Sequence, residues 1–299
     1  MAAFIVLACQ ARATNVNPFT NLGSAGPSNW QILSLGNCSS GACDKNTTNV
    51  TISNSSEVDG NVGVAPKGNL NVDNSSEVYG NASVDTQGSV TYAWNVSGTV
   101  TQNSSTNTLL DNAATAAMSA YSAASGDSAT SVTCSGTGCS TTNDVNPTHA
   151  ITFTGTSGIN VVDLTNLELN NSADGLTLSA PTGAVFVINI SGTFSVTNGA
   201  DIKVAGGLSQ LNVLYNVEGT GSAVSFSDSS DGTNVQGVVL APYRDITLNG
   251  AQVDGEIISG NLNITVENNS TVDVPEPASL ILLASGLAGL GVRMRQTGK

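Results

Sequence analysis

The chain has 299 residues and a formal net charge of −14, from 22 acidic against 8 basic side chains. A surface that acidic repels phosphate backbones and excludes nucleic acid as a partner. Only 10% of residues are charged and only 4% are aromatic, too little charge for an acidic disordered tail and too few rings for an ordinary globular core. The abundant Thr, Asn, Ser, Val and Gly suit a repetitive, mostly β architecture with small side chains stacked in rows.

In chain order, residues 1–13 hold a short apolar stretch ending in Ala11-Arg12-Ala13. This A-x-A pattern predicts cleavage by signal peptidase, with a mature start at Thr14. Cys38 and Cys43 bracket CSSGAC, and Cys134 and Cys139 bracket CSGTGC. Gly and Ser between the thiols let each loop fold back, so two local disulfides are expected, in an oxidising compartment outside the cytoplasm. Four-residue gaps are loose for zinc and His149 is the sole histidine, so neither metal nor cofactor is expected.

Asn54-Ser55-Ser56-Glu57-Val58 recurs as Asn74-Ser75-Ser76-Glu77-Val78, and Gly60-Asn61 as Gly80-Asn81, a period of 20 residues. Val90, Tyr92 and the VSGTV of residues 96–100 form a degenerate third copy. Alternating apolar residues within each copy predict strands, and a period near twenty predicts one coil of a β-solenoid. Val58 and Val78 should then point inward one above the other, with Glu57 and Glu77 outward. In NTLLDNAATAAMSAYSAASG, residues 107–126, Leu110, Ala114, Met118 and Tyr121 share one helical face, predicting a helix along the solenoid's side with Gly126 at its end.

The second half repeats the strand grammar less regularly. Predicted strands are Leu176–Leu178, Ala184–Ile190, Thr193–Val196, Leu211–Val217, Val235–Leu240, Ile246–Leu248, Val253–Ile258 and Leu262–Val266, with turns at Asn198-Gly199, Asn249-Gly250 and Asp254-Gly255. Catalytic chemistry finds little support: His149 follows Pro147-Thr148 without a nucleophile elbow, and Arg244-Asp245 in a candidate loop has no basic neighbour. Asp228 and Asp231 lack the alternating spacing of a calcium loop. Ice binding would need a rank of Thr repeating at the coil period, and no such rank is visible along the chain. Asn-x-Ser/Thr triplets begin at Asn54, Asn74, Asn95, Asn189 and Asn263 and are candidate glycan acceptors in an exported protein.

The tail is unlike the rest. Residues 278–292 carry no charge and would span roughly 22 Å as a helix, against about 30 Å of hydrocarbon core. That makes a marginal transmembrane helix, with Arg293 and Arg295 fixing its end on the cytoplasmic side. Pro275 and Pro277 hold Glu276 on an extended peptide beside it. Val274-Pro275-Glu276-Pro277-Ala278-Ser279, the Leu/Gly-rich run and Arg293-Met294-Arg295 resemble the PEP-CTERM sorting signal of Gram-negative bacteria. That resemblance implies export, transient residence in the inner membrane and processing by an exosortase.

The body has its own likeness. Gly26-Pro27-Ser28-Asn29-Trp30, AVFVINISG (184–192), LNVLYNV (211–217) and VVLAPYRDITLNGAQVDGEIISG (238–260) are similar to the choice-of-anchor A family, and more distantly to bacterial ice-binding-like β-solenoids with a flanking helix. The likeness implies a β-helical surface domain, residues 14–274, ahead of a sorting tail, residues 275–299. It brings no catalytic residues. The expected function is that of a non-enzymatic surface or extracellular-matrix protein meeting exopolysaccharide or other surface proteins. A ligand-binding adhesin or ice-binding-like module is the alternative, and a carbohydrate-active β-helix enzyme the outsider.

Overall fold

Successive side chains of an extended run point to opposite sides, so alternation of apolar and polar residues buries every second one. Val50, Ile52, Val58, Val62 and Val64 are fully buried in one repeat, and Leu70, Val72, Val78, Ala82 and Val84 in the next. The structure, a computed structural model, describes residues 15–36, 38, 43, 48–228, 232–260 and 263–273. The runs are successive sides of a β-solenoid whose coils pair in parallel, and Val58 lies in register with Val78 as the 20-residue repeat requires. Glu57 is exposed and Glu77 half-buried. The expected signal segment with Ala11 and Ala13, and the sorting tail with Pro275, Glu276, Pro277, Arg293 and Arg295, lie outside the described residues.

Three faces result. The open face is one parallel sheet in the order Leu167–Leu169, Phe194–Thr197, Val224–Ser227, Ile246–Asn249, Asn263–Glu267, Asn49–Ile52, Asn69–Val72 and Ser89–Thr91. The acidic face runs from Ile151–Thr154 through Gly175–Ser179 and Asp201–Ala205 to Thr271–Asp273, Glu57–Asp59 and Glu77–Val78. The covered face runs from Ile159–Leu164 through Val185–Ile190 and Val213–Val217 to Ile32–Ser34, Val62–Val64, Ala82–Val84 and Val100–Thr101. Asn234–Ala241 and Gln252–Ser259 belong to both of the last two, bending over the corner at Gly237 and Gly255 without a break. The turn expected at Asp254-Gly255 is therefore a bend inside a strand. Only glycine fits there, since a Cβ on Gly255 would meet the Gly237 carbonyl oxygen at 2.0 Å.

Stacking order is not chain order. Asn49–Ile52 pairs with Asn263–Glu267, and Glu57–Asp59 with Thr271–Asp273, so the first coils of the chain stack on its last. One coil is composite: Asn263–Glu267 and Thr271–Asp273 supply two sides, and Ile32–Ser34 fills the third between Gln252–Ser259 and Val62–Val64. The chain must then travel back to the other end, and a helix makes the journey. Ser104–Gly126 has 23 residues, about 34 Å at 1.5 Å each, close to the roughly 38 Å of eight strand spacings on the covered face. At the far end Thr133–Ser135 pairs antiparallel with Ile151–Thr154, and Val145 bridges to Leu167.

The helix starts three residues before the predicted 107, where the Asn103 side chain accepts the Thr106 N–H at 2.9 Å. Leu110 and Ala114 are buried as expected, but Met118 and Tyr121 are only half-buried. The contact is made by Ala113, Ala117, Ala120 and Ala124, whose small side chains let the helix lie close on Leu33, Val187, Leu214, Val238, Leu240 and Ile258. Strands buried on both sides read as near-continuous apolar runs, and Val213–Val217 is one, broken only by the buried Asn216. At the helix C-terminus, Asn189 donates to the Ala124 carbonyl and to Asp163, and Asn216 to Asn189 and Ser125. Asn189 is thereby buried and cannot serve as a glycan acceptor in the folded chain. No helix among the described residues is long and apolar enough to cross a membrane, and the expected span at 278–292 lies outside them.

Candidate functional site: the open face

On the open face the inward residues are apolar and the outward ones polar and mostly small, with Glu168 and Glu267 the larger exceptions. Strand register lines up Glu168, Ser195, Ser225, Thr247, Thr265, Thr51, Asn71 and Thr91 as a single rank, one residue per coil. Parallel pairing sets their backbones about 4.8 Å apart. This is a hydroxyl- and amide-bearing rank at the coil period, with its only charge at one end, and the sequence reading did not find it. Coil length is the reason. The residues are separated by 27, 30, 22 and 18 positions, and Thr265 then neighbours Thr51, earlier in the chain.

A second rank beside it is held by its own hydrogen bonds. Asn49 Nδ2 donates to Asn263 Oδ1 at 3.2 Å, Asn69 Nδ2 to Asn49 Oδ1 at 3.1 Å, and Ser89 Oγ to Asn69 Oδ1 at 2.7 Å. Asp245, beside Arg244 in the candidate loop that the sequence offers without another basic neighbour, accepts the Asn263 N–H and so begins this ladder. At the adjoining corner, Asn54 Nδ2 donates to Asn268 and Asn268 Nδ2 to Asn249. Burial opposes ionisation of Asp73, but the hydrogen bonds from Asn54, Ser76 and Ser75 together outweigh it and hold its carboxyl down at about 2. Side chains tied in this way have already lost their rotamer freedom, so a partner meets a pre-ordered surface.

The acidic face differs. Asp254, Asp273 and Asp59 stand in register, and burial followed by the charges of Asp254 and Asp59 raises the Asp273 carboxyl. Gln252 donates to both Asp254 and Asp273, and Asn234 and Gln236 donate to Asp254, so amides separate the carboxylates. No group of three His, Cys, Asp or Glu among the described residues is arranged to hold a metal.

The remaining sequence candidates scatter. His149 is exposed, touching the Thr148 hydroxyl at 3.1 Å. Arg244 is 2% exposed and clamps corners of the coils, donating to the carbonyls of Gly219, Gly192, Ser191 and Glu218. It is a structural cation, not a loop residue available to substrate. Asp228 accepts the Thr233 N–H, and Asp231 lies outside the described residues. A groove of about 350 Å³ between the helix and the covered face is lined by neutral groups, among them Asn61, Asn81, Ser83, Thr101 and Leu109. Cys38 is joined to Cys43 and Cys134 to Cys139, the pairing the two short loops predict.

With that geometry in hand, the comparisons are informative. Residues 22–272 match the family model described as "Putative Ice-binding-like adhesive domain", and residues 273–296 match the PEP-CTERM protein-sorting motif. No curated protein matches the chain. Among solved structures, an ice-binding protein from an Antarctic biological consortium is 20% identical, with TM-score 0.53 and coverage of 89% of this chain and 95% of that one. A glycosylated ice-binding protein from an Arctic yeast is 18% identical, with TM-score 0.54 and coverage of 89% and 96%. One from the Antarctic ascomycete Antarctomyces psychrotrophicus is 17% identical, with TM-score 0.52 and coverage of 86% and 98%. At such identities the likeness establishes the fold. The chain belongs to the ice-binding-like adhesive domain family and carries the sorting motif of exported, exosortase-processed proteins.

Proposed function

From that membership we propose that the protein is a non-enzymatic surface adhesive and that the open face is what adheres. One observation carries the reading: the unbroken rank Ser195, Ser225, Thr247, Thr265, Thr51, Asn71 and Thr91. Equal spacing lets many weak hydrogen bonds form at once with a partner that is itself repetitive, and multivalency turns weak contacts into firm attachment. In this reading signal peptidase acts after Ala13 and an exosortase acts at Pro275-Glu276-Pro277, from an inner-membrane intermediate whose C-terminal helix spans the bilayer. The product is released to the cell surface or matrix, where exopolysaccharide and other surface proteins are the available partners. Ice is the second reading, supported by the three consecutive threonines Thr247, Thr265 and Thr51.

The test is Thr265→Lys, a bulky charge in the middle of the rank. Adhesion of cells displaying the protein should fall at least tenfold with an unchanged melting temperature, and wild-type adhesion in the variant would remove the open face from the function. Thermal hysteresis lost in the same variant would assign the partner as ice. Intact mass of the exported protein checks the processing: residues beyond the Pro-Glu-Pro segment are expected to be missing, and their retention would contradict cleavage.

A further inference from the structure

Consecutive corners between the open and acidic faces follow one rule in three coils and break it in the fourth. Glu267-Asn268-Asn269-Ser270, Ser53-Asn54-Ser55-Ser56 and Asp73-Asn74-Ser75-Ser76 are polar turns that each end on a buried serine. The serines interlock. Ser270 Oγ accepts the Ala251 N–H at 3.1 Å, Ser56 Oγ that of Ser270 at 3.2 Å, and Ser76 Oγ that of Ser56 at 3.1 Å. The fourth corner reads Tyr92-Ala93-Trp94-Asn95. It is also two residues shorter: Asn69 pairs with Ser89, twenty positions on, whereas Val78 meets Val96, eighteen on.

What replaces the polar turn is a pair of presented rings. Trp94 is 72% exposed and Tyr92 38%, whereas the chain's other tryptophan, Trp30, is 4% exposed. They meet edge to face with centroids 5.0 Å apart, and Asn95 ties the turn to the Asp73 carbonyl in the coil beside it. Tyr92 holds φ 55, a left-handed conformation taken at the polar corners by Asn54, Ser55, Asn268 and Asn269. A bulky ring seldom adopts it, and backbone strain of this kind is retained where the fold around it enforces it, commonly at binding sites. The pair is therefore fixed in place and faces water.

Its neighbours narrow the ligand. Ser89 and Thr91, on the edge strand that leads into Tyr92, are exposed, and Asn69 and Asn71 stand beside them in register. A rigid aromatic surface flanked by hydroxyls and amides matches the two sides of a neutral sugar: a C–H face that stacks on a ring and hydroxyls that hydrogen-bond at its edge. Phosphate-bearing ligands are disfavoured by the net charge of −14. A second copy is disfavoured as well. Asp73 and Glu77 lie around this end of the stack and would oppose their own images, and two rings offer far less than the roughly 800 Å² each partner of a stable dimer buries. We propose that Tyr92 and Trp94 form a stacking platform for a neutral glycan chain, placed where the ranked open face ends. This rests on the adhesive reading of that face and adds the class of its partner.

Affinity electrophoresis of the full chain through gels containing dextran, hydroxyethylcellulose or galactomannan tests it. At least one polymer should retard the wild type. Trp94→Ala should weaken that retardation tenfold or more, and Trp94→Phe should recover part of it. Both variants should melt at the wild-type temperature, because the indole is exposed. Thr265→Lys separates the two ideas: adhesion lost there, with no wild-type retardation by any of the three polymers, leaves the open-face reading standing and overturns the platform. Retardation that survives Trp94→Ala overturns it too. So does a sedimentation mass that is dimeric in the wild type and halves in Trp94→Ala, which would assign the rings to self-association.

Discussion

The two ends of the solenoid solve the same packing problem with different side chains. At the narrow end, between residues 48 and 91, coils keep a period of 20 and the interior holds Val, Ile, Leu and Ala: Val50, Ile52, Val58, Leu70, Val78 and Ala82. At the wide end the coils are up to 33 residues long, and Phe153, Phe186, Phe194, Tyr215 and Phe226 fill the middle. Phe194 lies 5.1 Å from Phe226 and 5.2 Å from Tyr215, ring centroid to centroid, and the Tyr215 hydroxyl donates to the Gln236 carbonyl at 3.0 Å. A longer coil encloses a wider cross-section, and only rings fill it to native density. Exact repetition is therefore a property of the narrow end. The wide end keeps the register and abandons the period.

The severest way to break the comparison lies in the narrow end. Val78→Asp places an unpaired charge directly under Val58 and should cost about 5 kcal/mol, enough to unfold a domain of ordinary stability. Urea unfolding reads it, with Glu77→Ala as the partner experiment, expected within about 0.5 kcal/mol of wild type. Reversed outcomes would mean that the register is wrong. In the wide end, Phe194→Ala removes the ring shared by two aromatic contacts and should cost about 4 kcal/mol by the same measurement. A loss under 1 kcal/mol would show that the wide coils collapse around the gap and are not set by ring volume.

Glu256 probes the seam where the two ends meet. It lies in register with Val238 on the covered face, next to the coil completed by Ile32–Ser34, and is fully buried. Among the described residues neither of its carboxyl oxygens has a hydrogen-bond partner, and burial pushes the group well above its ordinary value of 4.5. Below that value folded and unfolded chains both hold the proton, so the full stability is present. As pH rises past it the unfolded chain ionises first, and stability falls by about 1.4 kcal/mol per unit until the folded carboxyl also titrates. Melting temperatures from pH 4 upward should decline in the wild type and flatten in Glu256→Gln. An identical slope in both would show that another group sets the pH dependence.

The smallest of these effects concerns the cap on the wide end. Opening the Cys134–Cys139 bridge by serine substitution frees a loop with a sequence separation of only 5 and should cost about 2 kcal/mol. A loss above 4 kcal/mol would mean that the bridge secures the antiparallel pair Thr133–Ser135 and Ile151–Thr154, and with it the closure of the stack.

How much could be read beforehand follows the same division. Period-two alternation and the 20-residue repeat depend on neighbours close in sequence, so the solenoid, the inward valines, the local disulfide loops and the existence of the helix were all legible in the residues. The sorting tail was legible as a motif, and so was the family likeness of the body. Three things required the folded chain. The helix docks through alanines, because close approach to a sheet already lined with Val and Leu favours the smallest side chains over the larger Met118 and Tyr121. Arg244 is buried because carbonyls from coils some 25 and 50 residues away converge on it. The open face's rank exists because Thr265 pairs with Thr51, a contact between opposite ends of the chain. Local periodicity decides which side of a strand faces inward. Which strand lies beside which is decided by the burial of whole coils, and that is visible only when the stack has closed on itself.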